Sequence, residues 1–147
     1  MKLTSPNFIN NSVLPRQYTC QGINQSPALT IEEVPANAQS LVLIVDDPDA
    51  PSGTWVHWTL WNLPVSTKEI PEAYQAEAPA VEGLTSFGNS GYSGPCPPSG
   101  SHRYFFKVYA LSQILDLKSG STATELKSAM EGKVLATAEL MATYQKS

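Results

Sequence analysis

The amino-acid sequence predicts a mainly β fold with long, stiffened loops. Three observations carry this. Twelve prolines are scattered through the chain rather than gathered in a tract, and prolines between short apolar runs bound strands and stiffen loops. The apolar runs have strand length and are rich in β-branched and aromatic residues. Only one segment, near the C-terminus, shows helical spacing. At 147 residues the chain suits one domain, 1–147, large enough for a real core.

The elements follow in order. Weak strands are expected within Lys2 to Phe8 and Ala28 to Ile31. Ser40-Leu41-Val42-Leu43-Ile44-Val45-Asp46 is a continuous aliphatic run and reads as a buried strand. Trp55 to Leu63 reads as a central strand, stopped by Pro64, with Trp55, Trp58 and Trp61 putting bulk on both faces. Residues 72 to 101 read mostly as loop, a length that points to function in a compact domain. Arg103 to Leu111 is a further strand. Thr122 and Glu125 fit a capping box, which opens a helix with Leu126, Met130 and Val134 on one face and Gly132 inside it. From Ala136 to Tyr144 the pattern alternates, so a final strand is expected there.

Composition excludes some roles. Charged residues make up 15% of the chain, and the net charge is −4 with nine Lys and Arg spread thinly; the usual charged share is about 25%. No basic stripe exists, which argues against nucleic acid and against an anionic membrane surface. No run approaches the ~20 apolar residues of a membrane span. The N-terminus lacks the apolar stretch of a leader, so a cytoplasmic protein is expected. Cys20 and Cys96 lie in Pro/Gly-rich loops. They could form one bridge, or remain free thiols, as a reducing cytosol would favour.

The chemistry gathers beside the strands. Asp47-Pro48-Asp49-Ala50-Pro51 follows the first strong strand, and His57 lies near the start of the second. Ser101-His102-Arg103-Tyr104 opens the third, and the chain has no other histidine. If the first two strands form a hairpin, Asp47 falls opposite His57 and can orient it and raise its pKa. Gly91 to Ser101 is rich in glycine and proline, and its free N–H groups could form a nest for an anion. Two imidazoles, a carboxylate and a phenol make a receptor for a small anion, with no clear nucleophile and hence no expected enzymatic activity.

Plainer readings stand beside this one. The Asp-Pro-Asp stretch can be only a proline-stiffened Asx turn, and His57 can be a satisfied core histidine. Asp49 is expected to bond its own loop, and Arg103 to pair with a loop carboxylate. Asp47, Asp49, His57 and His102 lack the spacing of a metal motif, so neither metal nor cofactor is expected. A hydrolase would need Cys96 or one of Ser93, Ser99 and Ser101 as nucleophile, and Gly-x-Ser-x-Gly is absent.

At these residues the sequence resembles the phosphatidylethanolamine-binding protein (Raf kinase inhibitor protein-like) family, in its short bacterial branch. Asp47-Pro48-Asp49-Ala50-Pro51 with Trp55-x-His57-Trp58 is similar to the family's first signature. Gly94-Pro95-Cys96-Pro97-Pro98 with Gly100-x-His102-Arg103-Tyr104 is similar to its second. The resemblance implies a β-sandwich of two antiparallel sheets with Greek-key connections and peripheral helices. It implies an anion pocket lined by Asp47, His57, His102 and Tyr104, with walls from Pro48, Ala50, Pro51, Cys96, Pro97 and Pro98. It further implies phosphate-like or carboxylate ligands, a kinase or protease as protein partner, and a homodimer. The loop between Pro98 and His102 is shorter here than in animal members.

Overall fold

A computed structural model describes residues 1–147. Two sheets and one helix account for the regular structure. The larger sheet has the order β2-β9-β8-β4-β5-β7, built from β2 (Ser12–Val13), β4 (Ser40–Asp47), β5 (Trp55–Leu63), β7 (Val81–Glu82), β8 (His102–Leu111) and β9 (Val134–Tyr144). The smaller sheet has the order β1-β3-β6, from β1 (Lys2–Thr4), β3 (Leu29–Glu32) and β6 (Glu69–Ile70). All pairings are antiparallel except the two-residue contact of β2 with β9.

The three strong runs occupy the middle of the large sheet for a simple reason. Every residue of β4 is buried, so both faces of that strand must be covered. Leu41, Leu43 and Val45 face the main core, with Trp58, Leu60, Phe106 and Val108 from the flanking strands and Leu3, Leu29 and Ile31 from the small sheet. Val42 and Ile44 face the other way, beneath Leu126 and Met130 of the helix α1 (Ala123–Met130). A continuous apolar run is what a strand covered on both sides requires.

The capping box forms as expected, with Thr122 Oγ1 accepting from Glu125 N and Glu125 Oε1 accepting from Thr122 N. The helix is shorter than its apolar spacing predicts. It stops at Met130, Lys133 Nζ donates to the Ala129 carbonyl at 2.8 Å, and Gly132 has φ +74°. Gly132 therefore lies beyond the helix in a conformation that glycine adopts freely. Val134 is not on the helix face; it begins β9, two residues before the alternation becomes visible. The two weak N-terminal strands exist, but β1 ends at Thr4 rather than reaching Phe8.

Cys20 and Cys96 form a disulfide, with Cα atoms 5.4 Å apart, and no free thiol remains. Of the two alternatives open from the sequence, this is the bridge. The loop 94–101 folds back onto the short turn Arg16–Tyr18 and the segment after it. Cys20 N donates to the Pro95 carbonyl at 3.1 Å, and Gly94 N donates to Asn24 Oδ1 at 2.8 Å. No helix is long and apolar enough to cross a membrane.

Candidate functional site

The antiparallel order of the central strands gathers the candidate residues at one end of the sheet. β4 runs out at Asp47, while β5 and β8 enter there with His57 and with His102 and Tyr104. These four side chains, with Ala50, Pro51, Ser52, Trp55, Phe87, Cys96, Pro97 and Pro98, line a cavity of about 220 Å³. All the expected site residues but Pro48 are there. Asp47 Oδ1 accepts the Asp49 N–H at 2.7 Å in an Asx turn, and Pro48 is exposed on it, away from the cavity.

A β-bulge decides where His57 goes. Val45 pairs with Trp58 and Asp46 with Val56, so β5 spends one extra residue, His57, against a single step of β4. Strict alternation would send His57 and Trp58 to opposite faces. The bulge cancels that alternation and turns His57 toward Tyr104 on the core face, with ring centroids 5.3 Å apart. Asp47 consequently lies opposite Trp55, not His57 as the unbulged hairpin predicts.

The hydrogen bonds correct the expected pairing. Asp47 Oδ2 meets His102 Nδ1 at 2.7 Å, so the carboxylate orients His102 rather than His57. His57 Nδ1 lies 2.6 Å from the Ser93 carbonyl oxygen, and the Ser93 N–H donates back to the His57 carbonyl at 3.1 Å. A carbonyl only accepts, so Nδ1 of His57 carries the proton. The His102 Nδ1 proton is assigned the same way, by its carboxylate neighbour. Neither Nε2 has a protein partner, and neither is sealed from the cavity.

Burial sets the electrostatics. His57 is 3% exposed and Tyr104 1%. Desolvation lowers the His57 pKa below its usual 6.5, despite opposing contributions from its Ser93 hydrogen bond and the Asp47 and Asp46 charges. This reverses the expected increase. Desolvation also raises the Tyr104 phenol, with the Asp47 carboxylate adding to it. Outside the cavity, Asp49 takes a bidentate bond from Arg103, Nε to Oδ2 at 3.0 Å and Nη2 to Oδ1 at 2.9 Å. Those bonds hold the Asp49 carboxyl down at about 2. Arg103 is thereby committed to Asp49, the loop carboxylate expected for it.

The loop from 94 to 101 has few N–H groups to offer the cavity. The Gly94 N–H is taken by Asn24, and Pro95, Pro97 and Pro98 have no N–H. Cys96 is the only residue of that loop that both lines the cavity and carries an N–H. Phe87 escaped sequence reasoning altogether. Its one signal was a lone aromatic within Ser86-Phe87-Gly88-Asn89-Ser90, a stretch otherwise suited to a plain turn.

The family model for "Phosphatidylethanolamine-binding protein" matches residues 4–145. The chain belongs to the phosphatidylethanolamine-binding protein family. A UPF0098 protein of Methanothermobacter thermautotrophicus is 44% identical over 99% of both chains. Another, from Pyrococcus abyssi, is 47% identical over 95% of this chain and 82% of its own. The crystal structure of a phosphatidylethanolamine-binding protein homologue from Chlamydia trachomatis superposes with a TM-score of 0.93, at 44% identity over 99% of this chain and 97% of that one. E. coli YbcL, described as a new member of the mammalian family, gives a TM-score of 0.93 at 32% identity over 99% and 98%. The family's architecture of two β-sheets is the one seen here.

Proposed function

We propose that this member of the family is a non-enzymatic receptor for a small oxyanion, phosphate-like or carboxylate, carried on a larger ligand. One observation supports this above the others. Two buried imidazoles line one cavity, each with Nδ1 held by an acceptor and Nε2 left open. A protonated Nε2 donates to an oxyanion, and the Tyr104 hydroxyl adds a donor on the same floor. Burial in low dielectric makes each such bond stronger than it would be in water. Binding without turnover fits the site's chemistry. Both cysteines are consumed in the bridge, and no serine hydroxyl bonds either imidazole, which supports binding over a serine or cysteine hydrolase. Regulation of a kinase or hydrolase would then act through occupancy of this cavity.

Isothermal titration with a phosphomonoester tests the reading. His57→Ala and His102→Ala should each weaken binding at least tenfold while the folded circular dichroism spectrum persists. Unchanged affinity in both variants would remove the site assignment. Turnover of the phosphomonoester would refute the non-enzymatic part.

A further inference from the structure

We infer that the oxyanion is presented on a flat apolar group, and that Phe87, backed by Trp55, selects for that group. The inference rests on the anion-receptor reading above and adds the class of ligand.

The cavity is divided by depth. Its titratable members are buried: Asp47 and His57 are 3% exposed, His102 7% and Tyr104 1%. Its mouth is mainly apolar, with Pro51 and Pro98 exposed and Phe87 45% exposed, and Ser52 the one exposed polar side chain among the lining residues. No free cation stands there to receive a second charged group, because Arg103 is held by Asp49. A tetrahedral oxyanion displaces roughly two waters, about 60 Å³. The cavity holds about 220 Å³, so most of it remains for whatever carries the anion.

Phe87 is the only aromatic residue among the exposed large apolar side chains. Its exposure is not the accident of a loose loop. Ser86 N donates to the Val56 carbonyl at 3.0 Å, and Ser86 Oγ accepts the Val56 N–H at 2.8 Å, which ties the loop to β5. Thr85 N donates to the Asn89 carbonyl at 2.8 Å, Thr85 Oγ1 bonds Asn89 Oδ1 at 2.9 Å, and Phe87 N donates to Thr85 Oγ1 at 3.2 Å. The phenyl ring is held edge-on to Trp55 and to His57, at 5.4 Å from each centroid. A phenyl fixed in water at the lip of a polar-floored cavity offers a ligand an aromatic surface whose ordering cost is already met.

The test is calorimetric titration of the folded full chain with inorganic phosphate, glycerol phosphate and phenyl phosphate. Phenyl phosphate should bind at least tenfold more tightly than the other two. Phe87→Ala should reduce that preference, read as the ratio of phenyl phosphate to inorganic phosphate affinity, about three- to tenfold, the range of one aromatic contact. Phe87→Trp should retain it. Equal affinity for all three ligands in the wild type overturns the inference and leaves the receptor reading standing. So does an equal loss of every ligand in Phe87→Ala. Failure of all three to bind overturns the receptor reading and this inference with it.

Discussion

Replacing Cys20 and Cys96 by serine separates two jobs of one bond. The first is global. The bridge spans 76 residues of sequence, and a cross-link of that span removes about 4.5 kcal/mol of loop-closure entropy from the unfolded chain in the chain-entropy model. Against a typical total of about 5–15 kcal/mol, that is a large share. The second is local. No hydrogen bond, main-chain or side-chain, joins residues 96 to 101 to the rest of the protein. The wall residues Cys96, Pro97 and Pro98 hang between Pro95, which Cys20 N holds, and His102, which begins β8. The disulfide is the one polar or covalent tie in between. Freeing this wall restores backbone entropy of about 1–2 kcal/mol for each residue not already fixed by a proline ring, so anion affinity should fall roughly tenfold. Urea unfolding of Cys20→Ser/Cys96→Ser gives the global term, and calorimetry gives the local one. A dithiol should have the same effect on the wild type, passing two electrons and two protons to the bridge and ending as its own disulfide. A stability loss below about 1 kcal/mol, or an affinity equal to that of the wild type, would refute the reasoning.

Two other predictions use the interior. Stability and binding should respond to pH in opposite senses. The folded pKa of His57 is below its unfolded value of 6.5, so this histidine's contribution to stability is intact above about 6.5 and is lost as pH falls toward the folded pKa. Sulfate affinity should rise over that same window as Nε2 gains its proton, and His57→Gln should flatten both profiles in urea unfolding and calorimetry. Gly83→Ala tests the packing behind β5: the new Cβ would overlap Thr59 Oγ1 and lie 2.6 Å from Trp61 Cζ3 and 2.8 Å from the Ser121 carbonyl oxygen. Overpacking of this kind costs about 1–3 kcal/mol, which a lowered urea midpoint with unchanged anion affinity would show.

The parts of the fold that were legible were those set by local pattern. The aliphatic run 40–46 needed cover on both faces and received it, from the small sheet and from α1. Thr122 and Glu125 announced the helix start because a capping box is a contact within four residues. The gathering of Asp47, His57, His102 and Tyr104 was legible from strand ends and from family resemblance together. Which imidazole Asp47 holds was not, because it turns on a single bulge that shifts β5 by one residue. Bulges leave no reliable mark in sequence, and a one-residue slip reverses every facing assignment. The bridge was likewise open, since two cysteines 76 residues apart meet only if the long loop doubles back to the segment after Tyr18.

The two loops that close the cavity are built on opposite principles, and this bears on what the site can select. The 84–90 loop is laced by hydrogen bonds and bridges Leu84 to Ser90, so Phe87 stays where it is with or without a guest. The 96–101 segment has a single tether, and its wall moves if that tether opens. Selectivity therefore belongs on the first loop, because discrimination needs a surface that does not adapt to the wrong ligand. Affinity as a whole depends on the second, because a loose wall weakens every ligand alike. Loss of the bridge should thus lower the affinities of phenyl phosphate and inorganic phosphate by the same factor and leave their ratio intact. Loss of the Phe87 ring should change the ratio.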